Sequence, residues 1–402
     1  MRSRFILALV FTFLGIIPLL SQTTVSLIGR NTGTKVLSDG NKIRVFGFTH
    51  DFGENPSVPG PTIEGFEGDS ILIDFWNISQ GAPHTIHLHG LDVDQANDGV
   101  PHLSFEVHHM DHGYYRFKAP HPGTYLYHCH VVSSIHVQAG MYGLVIIRPK
   151  NDTNVTWENG YSFHTEATLF MSEIDTFWHH DSVLLHEYDT SMSHHMVALP
   201  KYHPQHFLVN GKSNWQLDNQ IIQGKANANI YLRLANIGYF YNRVIIPKGL
   251  HGLLIDSDGR PLPNALQSDT IEVFPGERYG MILAPTEEMD DSIVVQYINM
   301  NTGTIANEQA VAIQIEGYLG IEHPSSQAYS LWPNPSSGSF YLSGAPTPCT
   351  FRVLNSTGSL LFQKETTETS PIQISLEAHP DGIYFIQVIS AQGSWTSKII
   401  KQ

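Results

Sequence analysis

Cysteine is almost absent. The 402-residue chain has two, Cys129 and Cys349, so no disulfide framework can replace a hydrophobic core. Positive charge is also short. Lys and Arg number 22 against 37 Asp and Glu, a net of −15, which argues against nucleic acid or an anionic membrane surface as the partner. Charged residues make up 15% and hydrophobic residues 41%, which excludes disorder for most of the chain. Beyond the N-terminal stretch no apolar run could span a bilayer, and no periodicity supports an amphipathic helix of three turns. Histidine is the opposite case: 19 of the 23 fall between His84 and His206.

The chain reads in parts. Residues 1–21 have the form of a signal peptide, with Arg2 and Arg4 ahead of an apolar stretch from Phe5 to Leu20 and the small Ser21 at a plausible cleavage point. Export would place the mature protein outside the cytosol, secreted or at the cell surface by way of the periplasm. Residues 23–150 hold short Val/Ile/Phe/Tyr-rich runs such as ILIDFW and YGLVIIR between Gly, Pro and Asn/Asp clusters. That is the texture of a β-sandwich or barrel. A polar connector follows at 151–165, residues 166–320 repeat the strand-and-turn texture, and a third unit covers 329–402. The fold class is all-β.

Two segments carry the chemistry: His84-Thr-Ile-His87-Leu-His89-Gly90, and His128-Cys129-His130 followed by His136 and Met141. One Cys, two His and a Met are the ligand inventory of a type 1 copper site, trigonal with a weak axial thioether. Thiolate and imidazole suit copper better than calcium or magnesium, which prefer oxygen. Side chains alternate faces along a strand. If 84–89 is extended, His87 and His89 share one face and His84 takes the other. If YLYHCH is extended, His128 and His130 share a face and Cys129 points away. Two ligand sets result: His84 and Cys129 with His136 and Met141, and His87, His89, His128 and His130 back to back with them. The peptide bonds from Cys129 to its two neighbours would join the sites by a short covalent path.

These residues resemble the multicopper oxidases. HTIHLHG is similar to their HPxHLHG element, YHCH(x5)H(x4)M to their type 1 and type 3 copper loop, and GPTIEGFEGD and DGVP to their first cupredoxin domain. The resemblance implies two tandem cupredoxin-like Greek-key β-sandwich domains. It also implies type 1 copper on His84, Cys129, His136 and Met141, and a type 2/type 3 copper cluster taking His87, His89, His128 and His130. Asp98 would help deliver protons there. Electrons from a small reducing substrate, phenolic or metallic, would pass to O2 and yield water.

Six residues separate Cys129 from His136, more than in many laccases, and the GMYG around Met141 is closer to the copper nitrite reductases. Nitrite reductases, however, have an Asp where His87 stands and lack the imidazole of His130. The family's cluster takes four HxH pairs, and this chain has two. Two-domain relatives form homotrimers with shared clusters, and His251 in GLHG resembles the position from which a neighbouring nitrite reductase subunit donates a ligand. The His/Met-rich segment 179–206 offers further donors. A nitrite reductase-like enzyme and a non-enzymatic copper carrier with an incomplete second site stand as alternatives to the oxidase. From Trp332-Pro333-Asn334-Pro335 onward the chain resembles a type IX secretion sorting domain, a small Ig-like β-sandwich whose partner would be the outer-membrane secretion machinery. Cys349 lies there, read as a small buried residue.

Overall fold

The first domain is eight strands in two sheets: β1 (Gln22–Val36), β2 (Lys42–Thr49), β3 (Ile63–Phe66), β4 (Ser70–Asn77), β5 (His87–His89), β6 (His112–Lys118), β7 (Gly123–His128) and β8 (Tyr142–Arg148). A computed structural model describes residues 22–317 apart from 82, 152 and 186–198, and residues 330–402 apart from 346, 368–370 and 391–392. The expected signal peptide lies outside them. So do His186, His194 and His195. One sheet runs β2-β1-β4-β6 and the other β3-β8-β7-β5. Period-2 patterning decides the layers: β6 alternates exposed and buried at every residue, with Tyr115 and Phe117 turned inward. Phe46, Phe48 and Phe75 from one sheet meet Tyr125, Tyr127 and Val145 from the other in a single apolar cluster.

Strand β7 breaks the alternation, because all six of its residues are buried. Its outer face packs on the second domain, which runs from Thr165 to Glu316 in a six-stranded and a five-stranded sheet. Leu126, Val137 and Tyr142 share a core with Phe170, Ile174 and Leu208. Arg233 Nη1 donates to Thr124 Oγ1 (2.9 Å), and Lys35 Nζ donates to the Gly211 carbonyl (2.6 Å). The two sandwiches expected from the sequence therefore form one compact unit, which ends at residue 318. The connector is not a plain linker: Val155 pairs with Ser162, and Thr156 is buried.

The C-terminal unit, taken by itself, has a three-stranded and a four-stranded sheet closed over Phe340, Phe351, Ile386 and Cys349, in keeping with a small sandwich and a buried thiol. Among the described residues no helix is long and apolar enough to cross a membrane.

Two sequence-based boundaries move. The extended run expected over 84–89 narrows to His87–His89, with His84 held instead in an isolated bridge to Val107. The loop between Cys129 and Met141 contains a two-turn helix, α1 (Ser133–Ala139), too short to leave a periodic signal.

The Asp98–Gly99 turn fixes the approach to β5. Gly99 has φ +73°, and a Cβ there would lie 2.0 Å from the Ile86 carbonyl oxygen. Gly99→Ala is expected to cost about 1–3 kcal/mol, as a left-handed position facing backbone that cannot yield. Denaturant unfolding measures this, and an unchanged midpoint would refute it.

Candidate metal centres

Cys129 is the first residue past the end of β7, and two main-chain bonds hold it. Its N–H donates to the Met141 carbonyl (3.0 Å), and the Met141 N–H donates to the His136 carbonyl (2.9 Å). Helix α1 ends at Gly140, whose φ of +115° turns the chain sharply into Met141; a Cβ there would sit 2.5 Å from Val58 Cγ2 and 2.7 Å from the Phe46 carbonyl oxygen. The turn returns His136 to the thiol. Cys129 Sγ lies 3.1 Å from His136 Nδ1 and 3.7 Å from His84 Nδ1. All three residues and Met141 are fully buried. The Phe46 ring presents its edge to both imidazoles, at 6.3 and 5.7 Å between centroids.

These three donors fit a soft, sulfur-preferring ion. The two Nδ1 atoms converge on the sulfur within 4.8 Å of one another, and no carboxylate joins them. His84 Nε2 is buried with no hydrogen-bond partner. A proton on Nε2 leaves the Nδ1 lone pair facing the thiol, the arrangement a copper ligand needs.

A second group lies on the other side of the same three-residue segment. Donor atoms of His87, His89 and His128 lie within 4.8 Å of one another. Strand pairing brings them there, because His87 stands opposite His128 and His89 opposite Leu126. The His130 ring joins at its flank, 5.2 Å from His87 and 6.0 Å from His128 between centroids. Its main-chain N–H donates to Thr85 Oγ1 (2.9 Å). Neighbouring carbonyls orient the rings. Nδ1 of His87 lies 2.7 Å from the Asp98 carbonyl, and Nδ1 of His128 lies 3.0 Å from the Cys129 carbonyl. Each Nδ1–H donates to its carbonyl and leaves Nε2 free for a metal. The Asp98 carboxylate stands 3.5 Å from His87 Nδ1 and remains partly exposed.

Burial favours the neutral form, the one that binds metal, in five of these rings. It pushes His128 and His136 down to about 3 and His84 well below its usual value. His89 falls to about 4, first by burial and then by the Arg278 guanidinium. His87 is lowered by burial.

Arg278 is a charged neighbour of His89 that sequence reasoning did not single out. It comes from the second domain, pairs with Asp258 at 2.8 Å, and stands where a Cβ on Gly90 would be, 2.1 Å from Nη2. Only the tertiary fold sets it beside His89. His251 belongs to neither group in this chain; it is exposed at φ +47° after a short 3-10 turn, beside Lys248 and Asp269 in an open pocket. Two described histidines of segment 179–206 are engaged elsewhere: His179 Nδ1 meets the Arg44 carbonyl at 2.7 Å, and His206 faces Asp39 at 3.7 Å.

Comparison with known proteins gives the family. Residues 48–152 and 169–317 match two multicopper oxidase family profiles, and 330–402 match the secretion system C-terminal sorting domain. The chain belongs to the multicopper oxidase family, and its last segment is a sorting domain. Laccase 1 of Metarhizium acridum is 37% identical over 106 residues, 26% of this chain and 17% of the laccase. L-ascorbate oxidase of Cucurbita pepo is 23% identical over 265 residues, 60% of this chain and 45% of that enzyme. The chain thus spans less than half the length of these curated relatives. Among solved structures, blue copper oxidase from Nitrosomonas europaea superposes with a TM-score of 0.56 at 27% identity, over 76% of this chain and 89% of the other. A copper nitrite reductase of the same organism shares the fold, at 17% identity and a TM-score of 0.54 over 74% and 94%.

Copper is the metal this family implies, and the sulfur–imidazole group suits it. In the copper-free protein the depressed pKa values set a pH dependence. Unfolded, these histidines take up protons near 6.5; folded, His128 waits until about 3. The unfolded state therefore binds more protons as pH falls, so stability is full above about 6.5 and is lost toward the folded value. The stability loss from about pH 7 to about pH 5 should shrink in His128→Gln, measured by denaturant titration. An unaltered loss would contradict the assignment.

Proposed function

We propose that the protein is a copper-dependent oxidoreductase that takes electrons from small donors at the Cys129 site and passes them to O2 at the imidazole group. One observation carries this: two groups of metal-competent donors face opposite ways from residues 128–130, joined by a few covalent bonds. When bound, copper would supply one-electron chemistry at the sulfur and oxygen reduction at the imidazoles.

The chain's own residues do the remaining work. Cys129 would offer a thiolate to the copper, His84 and His136 their Nδ1 atoms, and the buried Met141 of the same loop a thioether. Burial excludes water and favours a low-reorganisation site. Carbonyls of Cys129 and Asp98 hold the rings of His128 and His87 in one tautomer. The partly exposed Asp98 carboxylate, 3.5 Å from His87 Nδ1, would pass protons between solvent and the group.

The imidazole group has four rings in this chain where the family's cluster has eight. We infer that neighbouring copies in a homotrimer extend it, with exposed His251 offered as a fifth ring, and that the remaining donors come from residues outside the HxH pattern. An N-terminal signal peptide and the sorting domain would carry the protein through the periplasm to the cell surface or beyond. The short ligand supply also favours a second reading, a one-copper electron-transfer or carrier protein.

Copper-loaded wild-type protein should show an intense thiolate-to-copper visible band and consume O2 with a phenolic donor. Cys129→Ser should abolish both. Persistent O2 uptake without the band would overturn the assigned route. Metal analysis separates the readings: about four coppers per chain supports the oxidase and about one the carrier. Nitrite turnover without O2 consumption would select a nitrite reductase-like enzyme. Met141→Leu should leave the band but raise the copper's reduction potential, read by redox titration, because the axial ligand tunes it.

A further inference from the structure

A cleft of about 550 Å3 opens between the two sandwiches, lined by Lys35, Pro56 and Val58 from the first and by Lys212, Trp215 and Gln216 from the second. Its charge is opposite to that of the protein. The chain carries a net of −15, yet the cleft wall holds two lysines and no acidic residue. Neither lysine has a carboxylate partner among the described residues. Lys35 Nζ donates to the carbonyls of Gly211 (2.6 Å) and Val58 (3.3 Å), which leaves its third N–H uncommitted. Burial, and then Lys212, push Lys35 down to about 8, as expected for two like charges facing a space without an anion.

Trp215 supplies the other half. Its ring is 62% exposed, an unusual state for so large an apolar surface. It is nevertheless held, because the indole N–H donates to the Ser38 carbonyl (2.6 Å). A fixed aromatic face beside two unpaired ammonium groups matches a ligand with a flat ring and a negative charge. The cleft also abuts the copper loop. A Cβ on Gly140 would fall 2.5 Å from Val58 Cγ2, and one on Gly47 would fall 2.9 Å from Pro56 Cβ. The wall is therefore in direct contact with the residue that precedes Met141.

We propose that this cleft binds a small aromatic carboxylate, its anion between Lys35 and Lys212 and its ring on Trp215, and that a ring-hydroxylated member of this class is the electron donor. Each phenol gives up one electron and one proton, so that four phenols supply the four electrons and four protons that turn one O2 into two waters. The binding half stands on the cleft alone. The donor half rests on the oxidase reading given above.

Calorimetric titration of the full-length Cys129→Ser protein with 4-hydroxybenzoate tests binding without the sulfur-site copper. Saturable binding with one molecule per chain is expected, weakened about tenfold or more in Lys212→Glu and in Trp215→Ala, and similarly weaker for the uncharged 4-hydroxybenzyl alcohol. Both substituted residues are exposed, so the fold is spared. Lys35 is left intact because it bridges the two domains. No saturation by about 10 mM, or equal affinity for the alcohol or in Lys212→Glu, overturns the site. For the donor role, copper-loaded wild type should prefer the carboxylate over the alcohol in kcat/KM, and Lys212→Glu should cut that preference about tenfold. An unchanged preference overturns the role while leaving the oxidase. Absence of O2 uptake with either donor, with binding intact, overturns the oxidase reading and the donor role together and leaves the ligand site standing.

Discussion

The structure turns on the placement of one segment, His128-Cys129-His130, where a strand buried along its whole length ends. Successive side chains there must point to opposite faces, so a thiol and two imidazoles cannot share one site. The bond from the Cys129 N–H to the Met141 carbonyl locks this alternation, and α1 then has to bring His136 back to the sulfur face. On the reverse, pairing of β5 with β7 sets His87 opposite His128. Any slip of one residue would exchange the two sets of ligands.

The second domain does more than repeat the first. It buries the outer face of β7 and so removes water from the thiol loop, which is why the rings there remain neutral. It contributes Arg278, whose charge opposes protonation of His89. It also contributes Glu173, pushed up to about 7 by burial and receiving the N–H groups of Tyr239 and Phe240. Tyr239 in turn donates its hydroxyl to the Ser134 carbonyl at the start of α1. The loop that holds His136 is thus shaped from both domains. A lone first domain would expose it.

Much of this was legible beforehand. Short apolar runs such as ILIDFW and YGLVIIR between turn clusters marked the all-β class, and HTIHLHG with HCH separated the donor groups by counting faces. Legibility failed where periodicity or distance ran out. A seven-residue helix such as α1 is too short to register as a period. His84 reached its place by a single bridge to Val107, not by the long strand its neighbours suggested. Trp215 carried no signal, because nothing in a linear reading says that its ring stands exposed beside two lysines from different domains.

Local chemistry, then, was written along the chain: residue type, spacing and the two-residue strand period pick out which side chains are able to bind metal and which way they face, since these depend only on near neighbours. Everything that depends on distant segments meeting was decided by packing. The cation beside His89 and the cationic cleft arise where residues more than a hundred positions apart meet, and the burial that keeps the rings neutral draws on both domains; contacts of that kind have no signature in sequence order.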